Sequence, residues 1–229
     1  MTCWPFDPRP AAGFTLIEMS LVLLLFGLLA GGSLSTLYGW QNQLADTRAS
    51  SQLDNAQEAL YGHAISHGRL PCPADGSLSH DQIGAGLENC TLEHGVLPWR
   101  SLGLPETDPW GQRLSYFAHA TFTAPLNNGA RAAFTLDSQG NAYVRPSASA
   151  NSKDADSLPA VLVSHGRNGL GGYRHDGRRS PTNNSDEQEN ADADLAFVSQ
   201  RPSPSFDDQV RWLSSDILKS RLLAAARLP

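Results

Sequence analysis

Phe14-Thr15-Leu16-Ile17-Glu18-Met19-Ser20-Leu21-Val22-Leu23-Leu24-Leu25-Phe26-Gly27-Leu28-Leu29, running on through Ala30 to Tyr38 as AGGSLSTLY, decides how this chain is built. Glu18 is the only charged side chain in those 25 residues. As a helix rising about 1.5 Å per residue, the stretch reaches roughly 37 Å, enough for a hydrocarbon core of about 30 Å. No other segment of the 229-residue chain comes close, so the pattern predicts one span and a soluble remainder. With 40% hydrophobic and 17% charged residues over its full length, the chain is neither a disordered tail nor a polytopic membrane protein. A net charge of −6 with no Lys/Arg block gives no nucleic-acid contact.

Three readings compete for the apolar stretch. A cleavable secretory signal needs a basic start and a short apolar run, whereas Arg9 is the only basic residue ahead of a long one. Ala30-Gly31-Gly32-Ser33 still imitates a cleavage site. A plain anchor fits the length but gives no reason for Glu18. A carboxylate inside a membrane helix costs about 2.5–3.5 kcal/mol and usually persists because it meets a partner. The bland alternative places Glu18 close enough to the helix end to reach headgroups. Cleavage between Gly13 and Phe14 would instead create an amine about one turn before Glu18. Two staggered copies would then pair the Phe14 amine of one with the Glu18 carboxylate of the next, offsetting both desolvation costs and fixing axial register.

Gly13-Phe14-Thr15-Leu16-Ile17-Glu18 followed by an apolar run resembles the prepilin cleavage and methylation signature of type IV pilins and type II secretion pseudopilins. The resemblance implies that residues 1–13 are a leader removed by a membrane prepilin peptidase. It also implies N-methylation of Phe14 and a role for Glu18 as the assembly carboxylate. The implied partners are other pilin or pseudopilin subunits, the peptidase, an inner-membrane assembly platform and the membrane itself. The implied location is single-pass in a bacterial inner membrane, head outward, and later in the fibre. The leader MTCWPFDPRPAAG departs from the pattern: one Arg and an Asp weaken the positive-inside signal.

Residues 14–39 thus form the apolar half of a long helix, and 40–68 its amphipathic half. Ala49, Leu53, Ala56, Leu60 and Ala64 recur at steps of four and three, one narrow stripe that a head domain must bury. Gly68 and then Pro71 mark the stop. Unbroken from Phe14 to about His67, such a helix would reach roughly 80 Å. The resemblance implies the same lollipop shape.

The head, 69–229, holds Cys72 and Cys90, while Cys3 would leave with the leader. On the oxidising side of the membrane they are expected to form a disulfide closing the loop 72–90, worth about 3 kcal/mol. A metal reading would draw on His80 and His94, whose spacing fits no standard zinc site. Trp99 and Trp110 are expected to pack over the helix stripe. Strands are expected at 113–122, 131–136, 141–144 and 159–164, with a turn at Ser138-Gln139-Gly140. A polar insertion at 174–194 and an amphipathic helix at 213–228 follow. The latter is capped by Ser214 or Ser215, with Ile217, Leu218, Leu222 and Ala225 near one face; it packs on the head or binds a partner. The fold class is α+β, one long N-terminal helix on an antiparallel sheet.

The resemblance extends into the head. Asp108-Pro109-Trp110-Gly111, a strand, Ser164-His165-Gly166-Arg167-Asn168-Gly169 and Asp192-Ala193-Asp194 are similar to the head of major type II pseudopilins. In those, a loop between the last strands binds calcium, which would make Asp192 and Asp194 the ligands here. With Leu70-Pro71-Cys72-Pro73 and Asp207-Asp208-Gln209-Val210-Arg211-Trp212, the whole looks more like a pilin-like minor subunit. No EF-hand spacing supports Ca²⁺, and an acidic run is usually solvated loop. No other cofactor is implied.

Catalysis finds little footing. His63 and His67 have zinc-binding spacing on a helix, but Ala64 stands where a metalloprotease needs Glu. Ser164-His165-Gly166 is not a nucleophile elbow, and Gly169-Leu170-Gly171-Gly172 opens no phosphate-binding helix. The sequence therefore reads as a non-enzymatic structural subunit, assembled through its N-terminal helix into a type IV pilus or secretion pseudopilus. The competing class is a monomeric membrane-anchored binding or adhesin module.

Overall fold

The structure, a computed structural model, describes residues 13–126 and 130–228, with residues 30–41 described by their backbone alone. The chain divides into two compact units, Met1–Leu44 and Ala45–Pro229, and helix α1 (Leu16–His67) contributes to both. In the first unit Leu16, Ile17, Leu21, Leu23, Leu24, Phe26, Leu28 and Leu29 are all exposed. A helix apolar all round has its solvent in lipid or in other helices. Among the described residues no helix is long and apolar enough to cross a membrane. The expected span at 14–39 runs on into residues whose side chains lie outside the described ones, as does most of the leader, 1–12, with Cys3.

In the second unit the predicted stripe is the buried face of α1: Ala49, Leu53, Ala56, Leu60 and Ala64 are at most 1% exposed. Complete burial of Leu53 and Leu60 stabilises the fold by about 1.5–3 kcal/mol each. They pack on a four-stranded antiparallel sheet ordered β1 (His94–Val96), β3 (Ser115–Ala118), β6 (Ala160–Ser164), β9 (Gln209–Leu213). Strand β6 pairs along both edges and a core covers each of its faces, so Ala160-Val161-Leu162-Val163-Ser164 is buried throughout. Its side chains alternate. Ala160 and Leu162 join the α1 cluster, with Leu213 and with Leu218 and Leu222 of helix α5 (Ser215–Ala224). Val161 and Val163 face a second core with Ala142 and Val144 of β4 (Ala142–Arg145), Leu158 of β5 (Ala155–Leu158) and Phe197 of β8 (Ala196–Val198).

The end of α1 is closed by its own chain. The Gly68 N–H donates to the Ala64 carbonyl at 2.8 Å with φ +71°, and Arg227 donates to the carbonyls of Ile65 and Ser66. Those carbonyls have no partner within the helix.

Several element expectations need correction. The run 113–122 breaks into β2 (Gln112–Arg113), β3 and a helical turn α3 (Ala120–Thr123), because β2 pairs with β7 (Tyr173–Arg174) in a separate ribbon. Residues 131–136 are not a strand. The Ala133 N–H bonds the Gly68 carbonyl, and a Cβ on Gly68 would stand 2.2 Å from the Arg131 oxygen, so this segment follows the end of α1. Phe134 is buried there against Phe122. The second sheet, β5-β4-β8, is mixed, with β4 parallel to β8. Trp99, at the start of α2 (Trp99–Leu102), packs with Ala74, Ala85 and Val96 instead of on the helix stripe, and Trp110 is half-buried. The C-terminal helix is shorter than predicted and leaves Ile217 and Ala225 exposed.

Candidate functional site

At the amino end, Gly13 and Phe14 are exposed, and a Cβ on Gly13 would meet nothing within 4 Å. Thr15 precedes the first helical residue. Its hydroxyl accepts the Glu18 N–H at 3.2 Å, while Glu18 Oε2 accepts the Thr15 N–H at 2.9 Å and the Thr15 hydroxyl at 3.0 Å. This is a reciprocal capping box, and it turns the carboxylate back toward the chain end. Sequence reasoning weighed Glu18 as an assembly group or a headgroup-reaching carboxylate and not as a cap; the Thr-x-x-Glu spacing was the signal for this further role.

In the second unit Cys72 and Cys90 form a disulfide, and Glu88 locks the loop between them. Burial opposes ionisation of Glu88. Hydrogen bonds from Arg69 and the Cys72 N–H, with the His63 ring 3.6 Å away, outweigh it and hold the carboxyl at about 2. His63 and His67 stack 4.1 Å apart, with His63 Nδ1 3.0 Å from the Arg69 carbonyl, a packed pair and not a splayed ligand pair. Asp108 is structural: it accepts the N–H groups of Trp110 and Gln112 and the Ser164 hydroxyl at 2.7 Å.

Beyond β6 the polar groups converge. Helix α4 (Ser185–Glu189) carries Glu187, which is fully buried; Asp208 is 3% exposed, and Asp207 is half-buried. Each can offer one oxygen such that all three lie within 4.8 Å of one another. Asn168 holds two of them, donating Nδ2–H to Glu187 Oε1 at 2.7 Å and its backbone N–H to Asp207 Oδ2 at 3.0 Å. Asn190 donates to Asp208 Oδ2 at 2.9 Å and is itself fixed by both backbone groups of Val198. Burial, then the charges of Glu187 and Asp207, pushes the Asp208 carboxyl well above the usual range. The segment 174–194, expected as a polar insertion, therefore supplies buried polar structure. Asp192 and Asp194 lie outside this group: Asp192 Oδ1 accepts the Asp194 N–H and Asp194 Oδ1 accepts the Ala196 N–H. Sequence reasoning marked the run 185–194, which contains Glu187, as rich in oxygen ligands but chose Asp192 and Asp194 from it, and it gave Asp207 and Asp208 no ligand role.

His165 adjoins the cluster. Its Nε2 is 2.7 Å from Ser115 Oγ and its Nδ1 3.9 Å from Asp208 Oδ1. The residue types are those of a nucleophilic triad, but 3.9 Å is no hydrogen bond. Burial holds the imidazole at about 3, too low for a base at neutral pH. Ser115 opens on a cavity of about 80 Å³, whereas ligand sites run to about 300 Å³ and more.

Residues 8–34 match the family described as prokaryotic N-terminal methylation motif, so the chain carries the signature of type IV pilins and pseudopilins. No curated protein and no solved structure was found to match the chain.

Proposed function

We propose that this chain is a structural, non-catalytic pilin-like subunit, assembled through α1 into a type IV pilus or a type II secretion pseudopilus, as a minor component. The observation that carries the reading is the methylation motif over residues 8–34, which makes the chain a pilin-like substrate of prepilin peptidase. Two features support it: Gly13 and Phe14 are exposed, and the apolar residues that follow, Leu16, Ile17, Leu21, Leu23, Leu24, Phe26 and Leu28, are exposed as well.

Cleavage after Gly13 gives Phe14 a positive amine, and methylation leaves that charge in place. The capping box turns Glu18 toward the same end of the helix. A neighbouring copy shifted along the axis then brings its amine to this carboxylate, and the exposed leucines bury one another. Before assembly the apolar half, 14–39, sits in the inner membrane, and an assembly platform lifts the subunit out.

Glu18→Ala in the native host tests this. Sheared fibre fractions are expected to lose the variant while membrane fractions retain it. A variant that enters fibres like wild type refutes the pairing. A wild-type chain that stays in the membrane and never enters a fibre supports the anchored adhesin reading instead.

A further inference from the structure

The geometry points to a calcium site formed by Glu187, Asp207 and Asp208 in the second unit. It is independent of how the chain is assembled, and it shares no residue with the Asp192–Asp194 pair. The three oxygens lie within 4.8 Å of one another, and two ligands of one Ca²⁺, at about 2.3–2.6 Å from it, stand at most about 5 Å apart.

The hydrogen-bond account is lopsided in one direction. Each carboxylate has one oxygen held by a neighbour, and each has another, buried, with no partner: Glu187 Oε2, Asp207 Oδ1 and Asp208 Oδ1. Buried polar atoms are nearly always paired, so three orphans on three adjoining acids call for one positive group. His165 supplies a separate sign. Its fully buried Nδ1 also lacks a partner and faces Asp208 Oδ1 at 3.9 Å. Asn168 and Asn190 hold the far oxygens, the outer shell that orients carboxylates around a metal. Gly166 completes the cradle: at φ +57°, a Cβ there would stand 2.4 Å from Asp207 Oδ1. An all-oxygen carboxylate set suits Ca²⁺, whereas Mg²⁺ demands stricter geometry and zinc prefers nitrogen and sulfur.

The full-length chain in detergent, stripped with EGTA, is titrated with CaCl₂ by calorimetry, with melting temperature followed in parallel. One Ca²⁺ per chain is expected, with a rise in melting temperature that equal MgCl₂ does not reproduce. Glu187→Gln and Asp208→Asn should each weaken binding by about tenfold or more, while Asp192→Asn with Asp194→Asn leaves it unchanged. Should either buried variant lose its circular dichroism spectrum, Asp207→Asn at the half-buried ligand carries the comparison. The site is overturned if wild type neither binds nor is stabilised at millimolar Ca²⁺. It is also overturned if the cluster variants bind normally, or if the Asp192/Asp194 variant alone loses binding.

Discussion

Replacing Arg113 by methionine removes a charge that spends all five of its donors inside the second unit. The side chain is fully buried, and its guanidinium lies 4.6 Å over the Trp99 ring. Nε and one terminal nitrogen grip Glu106 Oε1 at 3.0 and 2.7 Å. The other terminal nitrogen donates to the carbonyls of Gly76 and Leu78, and a further bond reaches the His175 carbonyl. All five donors are used, and they join the disulfide-bearing loop, the segment before β2 and the loop after β7. Methionine fills similar volume but strips the guanidinium from Glu106 Oε1 and leaves the Gly76 and Leu78 carbonyls without its donors, while the His80 ring on Glu106 Oε2 and the His80 N–H on the His175 carbonyl remain. Breaking one side of a buried pair costs about 3–5 kcal/mol. In a unit of this size that is a fall in melting temperature of roughly 6–20 °C, read by circular dichroism of the full chain in detergent. Arg113→Lys keeps the charge but loses the fork, and should recover only a minor part. A methionine variant melting within about 2 °C of wild type would mean that the network contributes nothing net, and the reasoning would fail.

Other outcomes follow from the same geometry. Glu88 has a folded value of about 2 against 4.5 for the free carboxyl, so its contribution is full above pH 4.5 and is lost as pH falls toward 2. That contribution is about 3 kcal/mol, and Glu88→Gln should flatten the acid limb of a plot of melting temperature against pH. Reduction of Cys72–Cys90, or Cys90→Ser, should cost about 3 kcal/mol and speed proteolysis within residues 73–89; unchanged cleavage would count against the loop being held by the bond. Thr15→Ala removes the capping hydroxyl and should fray the first turn of α1 by about 1 kcal/mol, seen as faster exchange of the Glu18 amide. Gly68→Ala cannot hold φ +71° against the Arg131 carbonyl without a shift, so it should destabilise by more than the helix-propensity gain of alanine.

What the sequence made legible was periodic or local. The stripe from Ala49 to Ala64, the stop at Gly68, the methylation motif and the cysteine pair each depend on residues close together or on a single repeat. The α+β class was readable for the same reason. The strand errors at 113–122 and 131–136 arose because apolar content does not reveal the partner: Gln112 and Arg113 pair with Tyr173 and Arg174, some sixty residues on. The acidic cluster was illegible for a related cause. Glu187 and the pair Asp207–Asp208 lie far apart in the chain, and only the turn at Gly166 and the placement of α4 bring them together. The nearer, more conspicuous acids, Asp192 and Asp194, spend oxygens on backbone N–H groups. Burial of one fold layer by another, not composition, decides which acid is short of a partner.

The proposal that a proteolytic cut creates the amine Glu18 answers to is tested most directly by mass spectrometry of the chain isolated from its native membrane or fibre. The account predicts a mature amino terminus at Phe14 carrying one added methyl group. A chain that still begins at Met1, or one trimmed near Ala30, would contradict it.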